Sequence, residues 1–373
     1  MVRLFWLTMP ISNLILFAMN NLSTMNAPVL KNTQNKTESM PQNHIKKLGG
    51  NLSLFLKKTA DGWIEEAKKR PIPKMLFGEL WFEGELCILF ADTGMGKSIL
   101  AVQISNSIAT GVAVKPFALE AEPQPVLYFD FELSDKQFEN RYSDEYKDHF
   151  KFHPNFFRLE INREFEVPEG ATFEFLITFH MEMQIIETGA KILVIDNLTF
   201  LSHDTEKAKD ALILMKQLQR LKKKYGLSLL VLGHTPKIEP HRPITKNHIA
   251  GSKMISNFID SSFAIGESFN SNGVRYLKQI KERNCEKIYH SENVPIFELE
   301  KKDSFLHFRF LNHSTEKEHL RPLEKNEKEG LKDTVESLHN EGRSIREIVV
   351  EIRGKVSKST IQRWIKEDFL PLN

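Results

Sequence analysis

The chain has 373 residues, 41% of them hydrophobic, a formal net charge of +2 and two cysteines, Cys87 and Cys285. That length holds one large domain plus a small one, and the hydrophobic fraction is ordinary for a folded globular protein. Near-neutral charge excludes a global field for nucleic acid, so any such partner must be met by local basic patches, and the two widely separated cysteines form no disulfide framework or metal pattern and suit a reducing cytosol.

Residues 1–45 read as a disordered tail or as an extension ahead of the true start, for which Met19, Met25 and Met40 are all candidates. Met1–Met19 is apolar, but Pro10, Ser12 and Asn13 interrupt it. It therefore lacks the run of about 18 apolar residues that a membrane span needs, and no stable membrane association is expected. Residues 20–45 are rich in Asn, Thr, Ser and Lys, a composition that does not form a core. Leu52, Leu54, Phe55 and Leu56, then Trp63, Ile64 and Ala67, give a short amphipathic segment that ends at Pro71-Ile-Pro73.

From residue 85 strands and helices alternate. Leu86–Phe90 is a continuous apolar run, followed by ADTGMGKS at 91–98 and a helical pattern over Lys97–Thr110. This strand–loop–helix order makes the G-x-x-x-x-G-K-S/T pattern a structural expectation. Gly94 and Gly96 let backbone N–H groups turn inward on a phosphate, and the helix N-terminus adds partial positive charge. The nucleotide would be held by Ala91, Asp92, Thr93, Gly94, Met95, Gly96, Lys97, Ser98 and Ile99, with Lys97 on the β- and γ-phosphates and Ser98 on Mg²⁺. Ala91 stands where the pattern has its first glycine.

Further strands are expected over Pro125–Phe131, Phe156–Ile161, Lys191–Asp196 and Leu227–Leu232, and helices over Ser134–Asp144, Ala171–Thr188 and Glu206–Tyr225. Near-continuous apolar strands between helices imply a parallel sheet covered on both faces, with chemistry at the strands' carboxyl ends. After 260, short strands at 262–265, 275–280, 294–299 and 305–310 suggest an antiparallel extension, and the charged stretch 313–330 reads as a linker. Three short helices close the chain. The first spans Leu331–His339, the second is capped by Ser344 and the third by Ser357, with a Gly354–Val356 turn between the last two. This is a helix-turn-helix pattern.

Polar residues fall at the expected strand ends. Asp196, after KILVI, is a natural partner of Ser98 on Mg²⁺. Glu132 follows the VLYFDF strand and would activate water, although Asp130 lies on the same face and spacing does not separate the two. His234 follows LSLLVLG and would contact the γ-phosphate. Lys281-Glu-Arg283 follows the strand YLKQI, and Arg283 would stabilise transition-state charge on a neighbouring subunit's ATP.

Together these residues resemble the RecA-like ATPases over roughly 75–310, in particular the hexameric branch of DnaB-type and plasmid RepA helicases. The resemblance implies an α/β fold with a RecA-like, mostly parallel sheet, ATP and Mg²⁺ as ligands, and a homo-oligomer, most simply a hexamer. FDFELS at 129–134 resembles the segment carrying the catalytic glutamate, which favours Glu132 over Asp130. VLGHTPK at 231–237 resembles the family's polar sensor. KQIKERN at 278–284 resembles the strand whose Lys and Arg act in trans, here Lys281 and Arg283. Residues 235–253 occupy the place of a central loop on single-stranded DNA and contain Lys237, Arg242, Lys246, His248 and Lys253. The segment 344–368 resembles the helix-turn-helix of resolvases, with Lys358, Ser359, Gln362, Arg363 and Lys366 placed to reach duplex DNA. The implied organisation is an ATPase domain over 46–312, the linker 313–330 and a small all-α domain over 331–373. The implied role is a helicase or translocase of a plasmid or mobile element. The alternative is an ATP-switched, site-specific DNA-binding regulator without unwinding activity. A KaiC-like signalling ATPase without a DNA role fits the basic 235–253 loop less well.

Overall fold

The structure is a computed structural model that describes residues 55–162, 164–168, 170–197, 207–235, 238–249, 256–322, 324–352, 355–356 and 358–368. The chain divides into two compact units, residues 1–70 and 71–373. In the first, helix α1 (Ala60–Ala67) is capped by the Thr59 hydroxyl, which accepts from the Gly62 N–H, and it has no buried residue. The tail or extension expected over residues 1–45 lies outside the described residues. Among those described, no helix is long and apolar enough to cross a membrane.

The second unit is built on a nine-stranded sheet in the order β11-β10-β9-β8-β1-β7-β6-β2-β5. Strands β1 (Leu86–Ala91), β2 (Val126–Asp130), β5 (Phe156–Leu159), β6 (Ile192–Asp196), β7 (Ser228–His234) and β8 (Ser261–Glu267) run parallel. Strands β9 (Val274–Lys281), β10 (Val294–Lys302) and β11 (Phe305–Ser314) continue it antiparallel. The expected fold class, a RecA-like mostly parallel sheet flanked by helices, is therefore the observed one. Alternation along the strands explains it. Cys87, Leu89 and Ala91 of β1 pack on one face with helix α2 (Lys97–Thr110), while Leu86, Ile88 and Phe90 pack on the other with helices α4 (Phe173–Thr188) and α5 (Lys207–Tyr225). Strands buried on both faces must be apolar throughout.

Several elements differ from expectation. Helix α3 (Asp135–Arg141) is shorter than the Ser134–Asp144 pattern: Ser134 caps it, and Ser143–Asp144 (β3) turns back to pair with Asp148–His149 (β4). The stretch read as a linker from 313 is ordered at its start. β11 runs to Ser314, and a helical turn, α6 (Glu316–His319), follows with Glu316 buried. The reason is a polar anchor: Glu316 accepts from the Ile244 N–H at 2.8 Å and pairs with Lys278. Helix α7 (Lys325–Asn340) begins six residues earlier than the apolar pattern indicates. With α8 (Ile345–Glu351) and α9 (Lys358–Asp368) it encloses a separate core of Leu331, Val335, Ile348, Ile352, Ile361 and Trp364. Ser344 caps α8 in a reciprocal capping box with Glu347. The Ser357 cap lies outside the described residues.

Candidate nucleotide site

Sheet register assembles the site. Ala91, the last residue of β1, pairs with His234, the last of β7, and Asp130 pairs with Asp196 at the ends of β2 and β6. β7 lies between β1 and β6, so residues far apart in sequence meet along one sheet edge. The loop after β1 turns at Gly94 (φ 78°) and Gly96 (φ 92°). Gly96 is the N-cap of α2, and a Cβ there would crowd the Phe308 ring at 3.0 Å. Ala91 belongs to the extended strand and is buried, so a methyl group replaces the usual first glycine without backbone strain. Asp92 Oδ1 accepts from the Thr93 N–H at 2.7 Å. Met95 packs against the core and Ile99 is buried in it.

Lys97 is 7% exposed. Its ammonium donates to the carbonyls of Ala91 (3.1 Å) and Asp92 (3.0 Å) and lies 3.2 Å from His234 Nδ1. Burial lowers its pKa, while Glu132, Asp196 and Asp92 pull it back up. An ammonium donating to Nδ1 leaves the imidazole proton on Nε2, the nitrogen 3.4 Å from Glu132 Oε1. Asn197 Nδ2 donates to the same Glu132 oxygen and sits 3.0 Å from His234 Nε2. The His234 hydrogen bond holds the Glu132 carboxyl below its ordinary pKa, aided by the charges of Lys97 and Arg141. Glu132 is thus an oriented, ionised carboxylate, still 39% exposed.

Asp130 has another role. Its Oδ1 accepts from the N–H groups of Glu132 and Leu133, and its Oδ2 takes Arg158 Nε at 2.8 Å. With its side chain wholly buried and three donors on it, it shapes the turn. That geometry separates two acids whose spacing did not.

Asp196 is 1% exposed. The Tyr128 hydroxyl donates to its Oδ2 at 2.6 Å. Burial raises its pKa to about 6, against the opposing pull of the Ser98 and Tyr128 hydroxyls. Its Oδ1 is buried without a partner at hydrogen-bonding geometry. An orphaned carboxylate oxygen beside a hydroxyl is the hard-oxygen donor set that Mg²⁺ takes, so Ser98 and Asp196 fit that ion.

Three residues at this edge carried no expectation. Asn197 directly follows KILVID, so a polar residue one step past the strand end was the available signal. Tyr128 lies inside an apolar strand and gave none. Arg141 closes α3 with NH1 buried and no hydrogen-bond partner, its charge felt by both Glu132 and Tyr142.

The remaining candidates lie elsewhere. Lys281 donates to the carbonyls of Ser256 (2.7 Å) and Ile259 (2.6 Å), and Arg283 pairs with Asp260 at 3.0 Å, so both are engaged within their own chain. Arg283 remains 53% exposed. In the central segment, Lys237 and Lys253 lie outside the described residues. Lys246 is exposed in a short 3-10 turn, and His248 Nδ1 accepts from the Thr245 N–H. Arg242 is turned inward, 3.0 Å from Glu239, and lines a cavity of about 180 Å³ that also touches Asp92 and Met95. Lys358, Ser359, Gln362, Arg363 and Lys366 are exposed along α9, while Ile361 and Trp364 face the helical core.

Residues 54–239 match the family model described as an AAA domain. No curated protein matches. Among solved structures, the chain is similar to a KaiC-like protein from the hyperthermophilic archaea Pyrococcus horikoshii OT3, with 13% identity and a TM-score of 0.44 over 61% of this chain and 91% of that one. The phosphate loop, the acids at the sheet edge and the match over 54–239 agree on a P-loop ATPase domain, similar over those residues to the AAA domain.

Proposed function

We propose that this protein is an ATP-hydrolysing, DNA-acting homo-oligomer, a helicase or translocase of the RepA and DnaB-like kind serving a plasmid or other mobile element. One observation carries the reading: His234 touches the phosphate-loop lysine through Nδ1 and the water-activating Glu132 through Nε2, and the basic segment 235–253 begins at the next residue. A histidine in that position feels the γ-phosphate and passes its presence to the loop proposed to hold single-stranded DNA.

In the mechanism, Lys97 exchanges the Ala91 and Asp92 carbonyls for phosphate oxygens. Ser98 and Asp196 would hold Mg²⁺, which would supply charge neutralisation for the nucleotide's phosphates. Glu132, kept ionised and aimed by His234 and Asn197, takes the proton of the attacking water. Arg283 would leave Asp260 to reach a neighbour's ATP, and exposed residues of α9 would contact duplex DNA. The three-helix unit, with its own core, equally suits the second reading, an ATP-switched DNA-binding regulator.

The test is ATP hydrolysis with and without single-stranded DNA, followed by strand displacement on a forked duplex. Stimulation with unwinding is expected. Hydrolysis indifferent to single strands but sensitive to a particular duplex would favour the regulator. Wild-type turnover in Lys97→Ala would overturn the site.

A further inference from the structure

Helix α5 divides its residues by face. Leu214, Met215, Leu218 and Leu221 are buried in the core beneath it. On its outer face Lys216, Arg220, Lys223 and Lys224 are exposed, and with Gln219 they line a surface groove of about 580 Å³. The helix has no acid after Asp210. Acids come to it from other elements: Glu182 of α4 pairs with Lys224 and feels Arg220, and Asp260 pairs with Lys222. Among the described residues, Lys216, Arg220 and Lys223 take part in no ion pair. The helix dipole favours cations in a last turn, which accounts for Lys222, Lys223 and Lys224 but not for Lys216 and Arg220. Like charges four residues apart repel, and an anion from outside relieves that repulsion.

The groove lies at the end of the sheet opposite the nucleotide. Gln219 donates to the Phe258 carbonyl and Lys222 pairs with Asp260, both just ahead of β8, and Lys191, ahead of β6, donates to the Tyr225 carbonyl at 2.7 Å. The residues of the nucleotide site stand at the other ends of the strands. The lining selects the partner. A protein interface has an apolar, often aromatic centre, and this lining has none. A membrane-surface helix lays its apolar face into lipid, whereas the apolar face of α5 is taken up by the core. Backbone phosphates ask only for placed cations and amides. From Lys216 to Lys224 the helix rises about 12 Å, the length of about three or four nucleotides of one strand at about 3.4 Å each.

We propose that the outer face of α5 binds the phosphate backbone of a nucleic-acid strand through Lys216, Arg220 and Lys223. This surface shares no residue with the 235–253 segment or with α9. The test is fluorescence anisotropy of the full-length chain with a labelled single-stranded oligonucleotide and with the matching duplex, at several salt concentrations. A variant carrying Lys216→Gln, Arg220→Gln and Lys223→Gln is set beside one carrying Lys115→Gln, Lys151→Gln and Lys302→Gln, exposed lysines elsewhere whose loss changes net charge equally. Melting temperature and basal ATP hydrolysis are the folding controls, since all six side chains are exposed. The α5 variant alone is expected to lose at least about tenfold in affinity in one arm or both. Its slope of log affinity against log salt should fall by about 2 for the single strand or about 3 for the duplex. Equal losses in the two variants, or no loss in the α5 variant, overturn this surface and leave the DNA-acting reading standing. Binding to phosphatidylserine vesicles that the α5 variant loses while its oligonucleotide affinity stays intact overturns it in favour of a membrane. A wild-type chain that binds neither oligonucleotide overturns both readings.

Discussion

Asp196 shows what the site costs the fold. Burial moves its pKa from an ordinary 3.8 to about 6, so the native state binds this proton more tightly than the unfolded chain does. Stability from this group is present below about pH 4 and is lost as pH rises through about 6, a difference of about 3 kcal/mol. Asp196→Asn removes the buried charge and keeps an acceptor for Tyr128. In EDTA at pH 8 the variant should melt several degrees higher than wild type and lose the pH dependence between about 4 and 6, while Mg²⁺-dependent hydrolysis disappears. A lower melting temperature at pH 8 would refute the burial argument. The two acids at the end of β2 should separate just as clearly. Glu132→Gln should keep nucleotide affinity, melt like wild type and lose turnover by roughly 10²–10⁴-fold. Asp130→Asn should leave Arg158 with only the more exposed Glu160 as a charge partner and cost roughly 3 kcal/mol of stability, seen as a lower urea midpoint. If the two phenotypes were exchanged, Asp130 would be the base.

Among the elements, the strands and the helix after the phosphate loop were legible because apolar runs of five or six residues must be buried on both faces, and the α2 bounds, Lys97–Thr110, coincide with the pattern. Asp130 and Glu132 were not separable by reading, since only the tertiary approach of Arg158 from β5 distinguishes them. Glu316 was hidden for the same reason: in a charged stretch it reads as solvated, whereas its partners Lys278 and Ile244 come from a strand and a loop many residues earlier. Lys278 also donates to the Ile244 carbonyl at 2.8 Å, so this pair fastens the 238–249 segment to the sheet. Glu316→Ala would leave a buried ammonium with a carbonyl alone. It is expected to destabilise the protein by roughly 3–5 kcal/mol, measured by urea unfolding, and to loosen the segment enough that limited proteolysis cuts near 240. A loss under about 1 kcal/mol would mean that the pair is effectively solvated.

At the scale of the whole molecule, the ATPase edge and the C-terminal helices rest on different cores. Leu331, Val335, Ile348, Ile352, Ile361 and Trp364 pack on one another, while the residues that meet at the nucleotide site are fixed by the register of β1, β2, β6 and β7. The last anchors before the helices, Glu316 on Lys278 and the Arg321 N–H on the Pro240 carbonyl at 2.9 Å, precede residue 322. A chain ending at Pro322 keeps both and, among the described residues, gives up the solvent-facing Arg321–Glu327 and Arg321–Glu324 pairs, worth little in solvent. That chain should therefore hydrolyse ATP at the full-length basal rate and respond to single-stranded DNA as before. It should lose duplex affinity and, with it, part of the salt dependence that Lys358, Arg363 and Lys366 would contribute, each phosphate contact adding about 0.9 to the slope of log affinity against log salt. Fluorescence anisotropy on a duplex at two salt concentrations, beside a steady-state ATPase assay, measures both. Unchanged duplex binding would move DNA recognition onto the ATPase domain, and a collapse of basal hydrolysis would show that the helices belong to the catalytic unit itself.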